Sequence, residues 1–342
     1  MVEEEMHLVE SVPAPVFRPG TTQARNVIVT RSGMCFQGPV MLPDSVHVGY
    51  GFRKSLATYA TGIGSLLTRG VRYHRTTREA IVFHNLWTGG YYHWMTEALP
   101  RLFAVRDRWS TSALVMPHHA PNPWLLRWIE NVGQFGEVVR FEGGRNLWLP
   151  RVLIPHCPTR QDEFDVLNLQ RVKSELFASI GVDQRSRADR RIFITRRNAR
   201  WRKIPNEAEV VARLEPLGFE IFDFDKLDYE GQVRTMSEAG ILVSLHGAGL
   251  TNLMFMRPGS HVVECAMRPA FPLTYNRFRK THLANPSYVR LARLFRVNHH
   301  FVFCELDMSN VPKSRTKKIT ANDYDLIVDV DKLLATLGEI IR

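Results

Sequence analysis

The alternation of apolar and polar positions is clearest between residues 191 and 266. Short apolar runs at Arg191 to Arg196, Glu220 to Phe224, Ile241 to Leu245 and His261 to Glu264 predict buried strands. Between them, Asn206 to Leu217 and Tyr229 to Ala239 carry apolar residues at helical spacing. Asn206, with Glu209 three residues on, reads as a capping box; Asp228 reads as a second N-cap and Gly218 as a stop. After the third strand comes a glycine-rich turn, His246-Gly-Ala-Gly-Leu250. A short helix, Thr251 to Met256, follows and is ended by Pro258-Gly259. Strands and helices alternating at this spacing predict βαβ units on a parallel sheet.

The first half is mixed in the same way but less regular. Strands are expected at Val27–Val29, Ala80–Phe83, Ala113–Met116, Val138–Phe141 and Val152–Pro155, and helices at Tyr92–Val105, Trp124–Asn131 and Val166–Ile180. Thr21 to Thr77 alternates weakly among many Gly and Pro residues and yields no firm assignment. The polar, unpatterned stretch from Gly181 to Asp189 reads as a linker. The expected organisation is an N-terminal α/β domain over 1–185, a C-terminal Rossmann-like domain over 186–310, and a tail over 311–342. In the tail, Leu326–Val328 is a strand and Lys332–Ile341 a helix, free to pack back on the first domain.

Composition narrows the class. With 342 residues, 44% hydrophobic and 23% charged, the chain is ordinary globular material, which excludes disorder, collagen and coiled coil and favours two domains. The net charge of +11 suits an anionic partner. The only dense basic run, Lys313 to Lys318, reads as a solvated loop, with a membrane surface or polyanion as the alternative. Cys35, Cys157, Cys265 and Cys304 form neither a CxxC motif nor a disulfide framework, which argues for a reducing compartment. The acidic start, Met1 to His7, lacks an apolar signal core, and no stretch of 18 apolar residues exists. A cytoplasmic protein is expected, with peripheral contact to a membrane left open.

Three constellations carry candidate chemistry. The turn Leu245 to Asn252 follows a buried strand and opens a helix, so its glycines admit close backbone approach and positive φ, and the helix start offers N–H groups to an anion. It is neither G-x-G-x-x-G, since Asn252 stands at the third glycine position, nor a Walker A loop. Arg196, Arg197, Arg200, Arg202 and Lys203 close the first strand and would face the same crevice, so that a diphosphate meets guanidinium groups and helix N–H groups together. In the segment Asn85 to Arg101, His93 and Glu97 lie four residues apart on one helix face, a general-base pair, beside an apolar stripe of Trp94, Ala98, Leu102 and Val105. Pro100 implies a kink or break there. Trp87 and Trp94 could stack on a sugar. The DxD patterns at Asp223, Asp323 and Asp329 are weak metal signals, and the pairs His118-His119 and His299-His300 lack further spaced ligands.

Taken together, Tyr91 to Leu102, Thr195-Arg-Arg with Arg202 to Glu207, and His246 to Asn252 with Pro258-Gly-Ser and Glu264 resemble glycosyltransferase family 61, in the form of a bacterial-type member. The resemblance covers about residues 80–270 and departs from the family at Gly90, where an Asn is frequent, and at Glu97, where an Asp is common. It implies a GT-B-like α/β fold of two Rossmann-like domains facing each other across a cleft, and inverting transfer from a nucleotide-sugar donor. It places Arg196, Arg202, Asn206, His246, Gly247, Ala248, Gly249 and Asn252 near the donor nucleotide and Glu264 on its ribose. The expected function is transfer of a hexose or pentose to a hydroxyl of a glycan, polysaccharide or lipid-linked acceptor, with Glu97 or His93 as base and no required cofactor, a divalent metal being possible but not indicated. The alternatives are an inactive sugar-nucleotide or polysaccharide-binding module and, from charge alone, a nucleic-acid binder, for which no motif speaks.

Overall fold

The computed structural model describes residue 17 and residues 19–46, 52–158, 163–183, 187–199, 202–267, 287–309 and 324–341. Lys313 to Lys318, Arg200, Asp323 and the N-terminal segment therefore lie outside the described residues. The chain forms two compact units, 15–176 and 177–342, and the division falls inside a helix, Val166–Ile180. Each unit has its own sheet. No helix among the described residues is long and apolar enough to cross a membrane.

The unit 15–176 contains β1 (Thr21–Val29), β2 (Cys35–Gln37), β3 (Val40–Met41), α1 (Phe52–Arg69), β4 (Val71–Tyr73) and β5 (Ala80–Ile81). A helical run, α2, follows, made of Tyr91–His93, a π segment Trp94–Ala98 and Leu99–Phe103. Then come β6 (Ala113–Val115), α3 (Pro123–Val132), β7 (Glu137–Val139), β8 (Asn146–Pro155) and α4 (Val166–Ile180). The sheet order is β3-β2-β1-β8-β5-β6-β7, with β4 also on β8. Strands β8, β5, β6 and β7 are parallel neighbours, whereas β1 runs antiparallel to β8 and β2. The weakly patterned segment, where only Val27–Val29 is expected as a strand, thus supplies the antiparallel strands β1, β2 and β3. Strand β1 is half exposed over most of its length, which is why its apolar alternation is faint.

The unit 177–342 contains β9 (Arg190–Ile194), α5 (Glu207–Leu214), β10 (Phe219–Phe222), α6 (Tyr229–Ser237), β11 (Ala239–Leu245), a 3₁₀ helix Ala248–Phe255, β12 (His261–Met267), α7 (Ser287–Leu294), β13 (Asn298–Leu306), β14 (Leu326–Ile327) and α8 (Val330–Ile340). The order is β10-β9-β11-β12-β13-β14, with the first five strands parallel and β14 antiparallel on the edge. Phe193, Val243, Leu245, Val263 and Cys265 are buried at the centre of its core. These strands are covered on both faces, so they read as unbroken apolar runs.

Four expectations are corrected. The chain adds α7 and β13 after β12; the His-His pair at the head of β13 hid a strand. The helix after the glycine turn is 3₁₀ and begins at Ala248 rather than Thr251. Asn206 does not cap α5. The tail joins the second unit, not the first: Leu326, Val328, Leu333 and Leu337 are part of the second core, and Asp329 caps α8 by accepting from the Lys332 N–H at 3.1 Å. Asp228 caps α6 as the sequence indicates, and Gly218 sits at φ 77° at the stop.

Candidate functional site

In the second sheet, β10 lies on one side of β9 and β11 on the other, so the strand order reverses between β9 and β11. Ligands of open parallel sheets bind outside the carboxyl ends of the strands at such a reversal, because the two loops diverge and leave a crevice. The loop after β9 begins with Thr195-Arg196 and the loop after β11 with His246-Gly247.

The first loop is pinned by Glu207 at the start of α5. This carboxylate is only 6% exposed and accepts the Thr195 hydroxyl and, at 2.9 Å, the Arg196 backbone N–H. Arg196 Nε donates to the Arg202 carbonyl at 3.1 Å, and Arg202 Nη1 donates to the His246 carbonyl at 2.7 Å. The two arginines therefore tie the β9 loop to the β11 turn. Arg202 holds this position at φ 56°, a left-handed conformation that costs a non-glycine residue about 1 kcal/mol or more and recurs at ligand sites. Burial, and then the adjoining Arg202 cation, lower the pKa of Arg196 from its ordinary value. Two guanidinium groups crowded in this way would be relieved by an anion.

The glycines of the turn do not use their conformational freedom. Gly247 is extended at φ 166°, and neither it nor Gly249 adopts positive φ. A Cβ at Gly247 would stand 3.5 Å from Arg202 Nη1, and one at Gly249 3.7 Å from Ile194 Cδ1, both ordinary contacts. The fold alone demands glycine at neither position, so the expectation of positive φ is corrected and close approach of a ligand remains as the physical reason. Ala248 opens the 3₁₀ helix, and Asn252 is buried within it.

Glu264 lies on β12, in register with Ser244 on β11, and is fully buried. Its Oε1 accepts from His246 Nδ1, and its Oε2 accepts from His299 Nε2 at 2.7 Å. Burial raises its pKa, but the two imidazoles outweigh that and bring it down to about 2. The resemblance implied a ribose contact for Glu264; in the structure both of its oxygens are engaged by histidines. Asn206 is likewise engaged elsewhere. Its amide donates to the Val328 carbonyl at 2.9 Å and accepts from the Val328 N–H at 3.1 Å, which fastens the tail to α5.

In the unit 15–176, His93 Nδ1 and Glu97 Oε1 are 2.8 Å apart. Glu97 is 2% exposed. Pro100 does not break the helix. Lacking an N–H, it leaves the preceding turn to widen: the Leu99 N–H reaches the Trp94 carbonyl five residues back, and the run continues to Phe103. π segments of this kind recur at functional sites. Gly90 begins the run, and Trp87 is tilted against His93 at 5.9 Å between ring centres. Trp87 is 41% exposed, whereas Trp94 is fully buried against Phe83 and cannot stack on a sugar. His84 is buried, and burial followed by the Arg101 cation pushes its pKa down to about 3, so it is a poor proton acceptor at neutral pH.

A family model, Glycosyltransferase 61, matches residues 91–263, half of the chain. The chain belongs to glycosyltransferase family 61. No curated protein matches it. The family 61 match starts at Tyr91, the first residue of α2, and ends one residue before Glu264, so it takes in the His93–Glu97 pair, the two arginines and the glycine turn.

Of the other acidic patterns in this family 61 chain, Asp223, Asp325 and Asp329 accept hydrogen bonds from the protein itself. Asp223 accepts the Asn198 amide of the β9 loop at 2.7 Å and the Asp225 N–H of its own loop at 3.2 Å. Among the described residues, no group of three His, Cys, Asp or Glu side chains is placed to hold a metal ion. The sequence reading missed His299, Glu207 as the anchor of the β9 loop, and Tyr288, whose ring stands 5.2 Å from that of His246. The apolar run Phe301 to Cys304 was the available signal for β13 and hence for His299.

Proposed function

We propose that this family 61 chain is an inverting glycosyltransferase of the GT-B class, moving a hexosyl or pentosyl group from a nucleotide-sugar donor to a hydroxyl of a glycan, polysaccharide or lipid-linked acceptor. The observation that carries this reading is the bond from Arg202 to the His246 carbonyl at the strand-order reversal, which holds a cation against a glycine turn whose glycines the fold does not require. Donor-binding groups are assigned to the unit 177–342: Arg196, Arg202 and the start of the 3₁₀ helix at Ala248 take up the charge that develops on the leaving diphosphate. A divalent metal is not required in this reading. The proton acceptor is assigned to the unit 15–176, to His93 or Glu97. The acceptor oxygen attacks the anomeric carbon, its proton passes to that base, and the bond to the diphosphate breaks with its electron pair on the departing oxygen. The basic chain suits an anionic or lipid-linked glycan at the cytoplasmic face of a membrane.

The test is a donor panel of UDP-, GDP-, CMP- and dTDP-sugars, read by thermal shift and slow donor hydrolysis. One nucleotide class should stabilise the chain and be hydrolysed. Arg196→Ala and Arg202→Ala should each weaken that nucleotide diphosphate by about 1.5–3 kcal/mol, the worth of a charge-assisted hydrogen bond. Unchanged affinity in both variants would contradict the assignment, and binding without any transfer would favour a sugar-nucleotide-binding module.

A further inference from the structure

Among the described residues, the hydrogen-bond partners of the fully buried Glu264 are two imidazoles, His246 Nδ1 and His299 Nε2. An ionised carboxylate only accepts, so each imidazole donates at the nitrogen it presents. His246 then carries its hydrogen on Nδ1, and Nε2 is the atom left to face a ligand. A carboxylate removed from water is kept ionised by hydrogen-bond donors and by positive charge close by, and an imidazole stands at each of its oxygens. His246 is the more exposed of the two, 19% against 5% for His299, so it is the imidazole a ligand can reach.

The other groups facing His246 agree with this. The Tyr288 ring packs edge-on from α7, and burial raises its hydroxyl pKa, so it stays neutral. Arg202 bonds the His246 carbonyl and opposes further positive charge, which makes the Glu264 carboxylate the balancing group. His300 follows His299 and so points to the opposite face of β13, where it meets His261 at 3.1 Å; burial and then His261 push its pKa down to about 4, leaving it neutral.

We propose that Glu264 and His299 are positioning residues for His246, holding it with Nδ1 protonated so that its Nε2, protonated in turn, donates to the diphosphate of the donor. The proposal rests on the donor reading above and adds its polar device: a strand-borne His–Glu–His chain behind the glycine turn. His246 forms no covalent bond in this scheme. Its Nε2–H stabilises the oxygen that departs with the electron pair of the broken bond. His299 occupies the second carboxylate oxygen, which keeps Glu264 ionised and turned toward His246, as outer partners do for other functional histidines.

The experiment uses the full chain labelled with [15N]histidine, followed by two-bond 1H–15N spectra over about pH 5 to 9, where imidazoles titrate, with inorganic pyrophosphate as the anion. In the native chain, His246 Nδ1 should stay protonated throughout while Nε2 loses its proton as pH rises, and pyrophosphate affinity should fall along the same curve. His299→Phe should lower that titration by about one pH unit and weaken pyrophosphate about fivefold at the native midpoint. His299→Gln, whose amide N–H stands where Nε2–H stood, should recover most of the loss. A His246 protonated on Nε2 with a bare Nδ1 would overturn the proposal in the native chain, with no variant needed. Identical titration in native and folded His299→Phe proteins would overturn the part given to His299. If His246 titrates as described but pyrophosphate ignores it, the donor reading fails and the relay stands, so the two are separable.

Discussion

The two histidine–glutamate pairs of this chain are built in opposite ways. His93 and Glu97 stand one turn apart on α2, and local spacing alone makes them neighbours. His246 and Glu264 are 18 residues apart and meet only because β11 and β12 are parallel neighbours in register, Leu245 beside Cys265. A third group, His299, arrives from β13. A helix brings its pair together before anything else has folded, whereas the strand pair exists only with the sheet. The first pair is thus specified by spacing alone, and the second couples an imidazole at the strand-order reversal to the integrity of the core.

The comparison breaks first, and by the largest effect, at α2. Glu97→Gln keeps the shape and removes a proton acceptor, so turnover should fall about 10²–10⁴-fold with donor affinity unchanged. His93→Ala should fall comparably if His93 is the base and Glu97 orients it, and the double variant should then lose little more than the worse single one. Steady-state kinetics of the three variants decide this; full activity in both single variants removes the pair from the chemistry.

Next comes the acid stability of the sheet pair. Glu264 has a folded pKa of about 2 against an ordinary value of 4.5. A depressed folded value stabilises the chain above the unfolded pKa and is lost as pH falls through the folded one, so the window runs from about pH 4.5 down to about pH 2. Across it the native chain should lose on the order of 3 kcal/mol relative to Glu264→Gln. Urea unfolding of both proteins at pH 7, 4 and 3 measures the gap; a constant gap would show that the carboxylate is not held ionised by its histidines.

A smaller effect separates donor residues from scaffold. Asn206→Ala should cost about 1–2 kcal/mol through the two lost bonds to Val328 and loosen the tail, with nucleotide affinity unchanged. Thermal melts and titration calorimetry check both halves, and a drop in nucleotide affinity at constant stability would return Asn206 to the donor site.

The parallel core was legible in the sequence because buried strands read as continuous apolar runs, and Gly218 and Asp228 marked element ends by mechanisms confined to a few residues. The His93–Glu97 contact was legible for the same reason. What the sequence concealed is what the sheet assembles. His299 has no local signature, since its partner lies 35 residues away. Asn206 has every mark of an N-cap, yet the tail backbone, 122 residues on, competes for its amide and wins. Of strand β1 only the end, Val27–Val29, was legible, because exposure along the rest blurs the alternation that a one-sided core would impose. The widened turn at Trp94–Ala98 needed knowledge of how the helix accommodates Pro100, where sequence indicates only that some irregularity must occur.

The central claim is that a nucleotide diphosphate sits at the reversal between β9 and β11. Hydrogen exchange of the full chain, with and without the nucleotide that best stabilises it, tests this most directly. The account predicts slowed exchange at residues 195–199 and 246–252, and the same regions unprotected in Arg202→Ala at equal nucleotide concentration. Protection elsewhere in the chain, with these two segments exchanging as in the free protein, would contradict it.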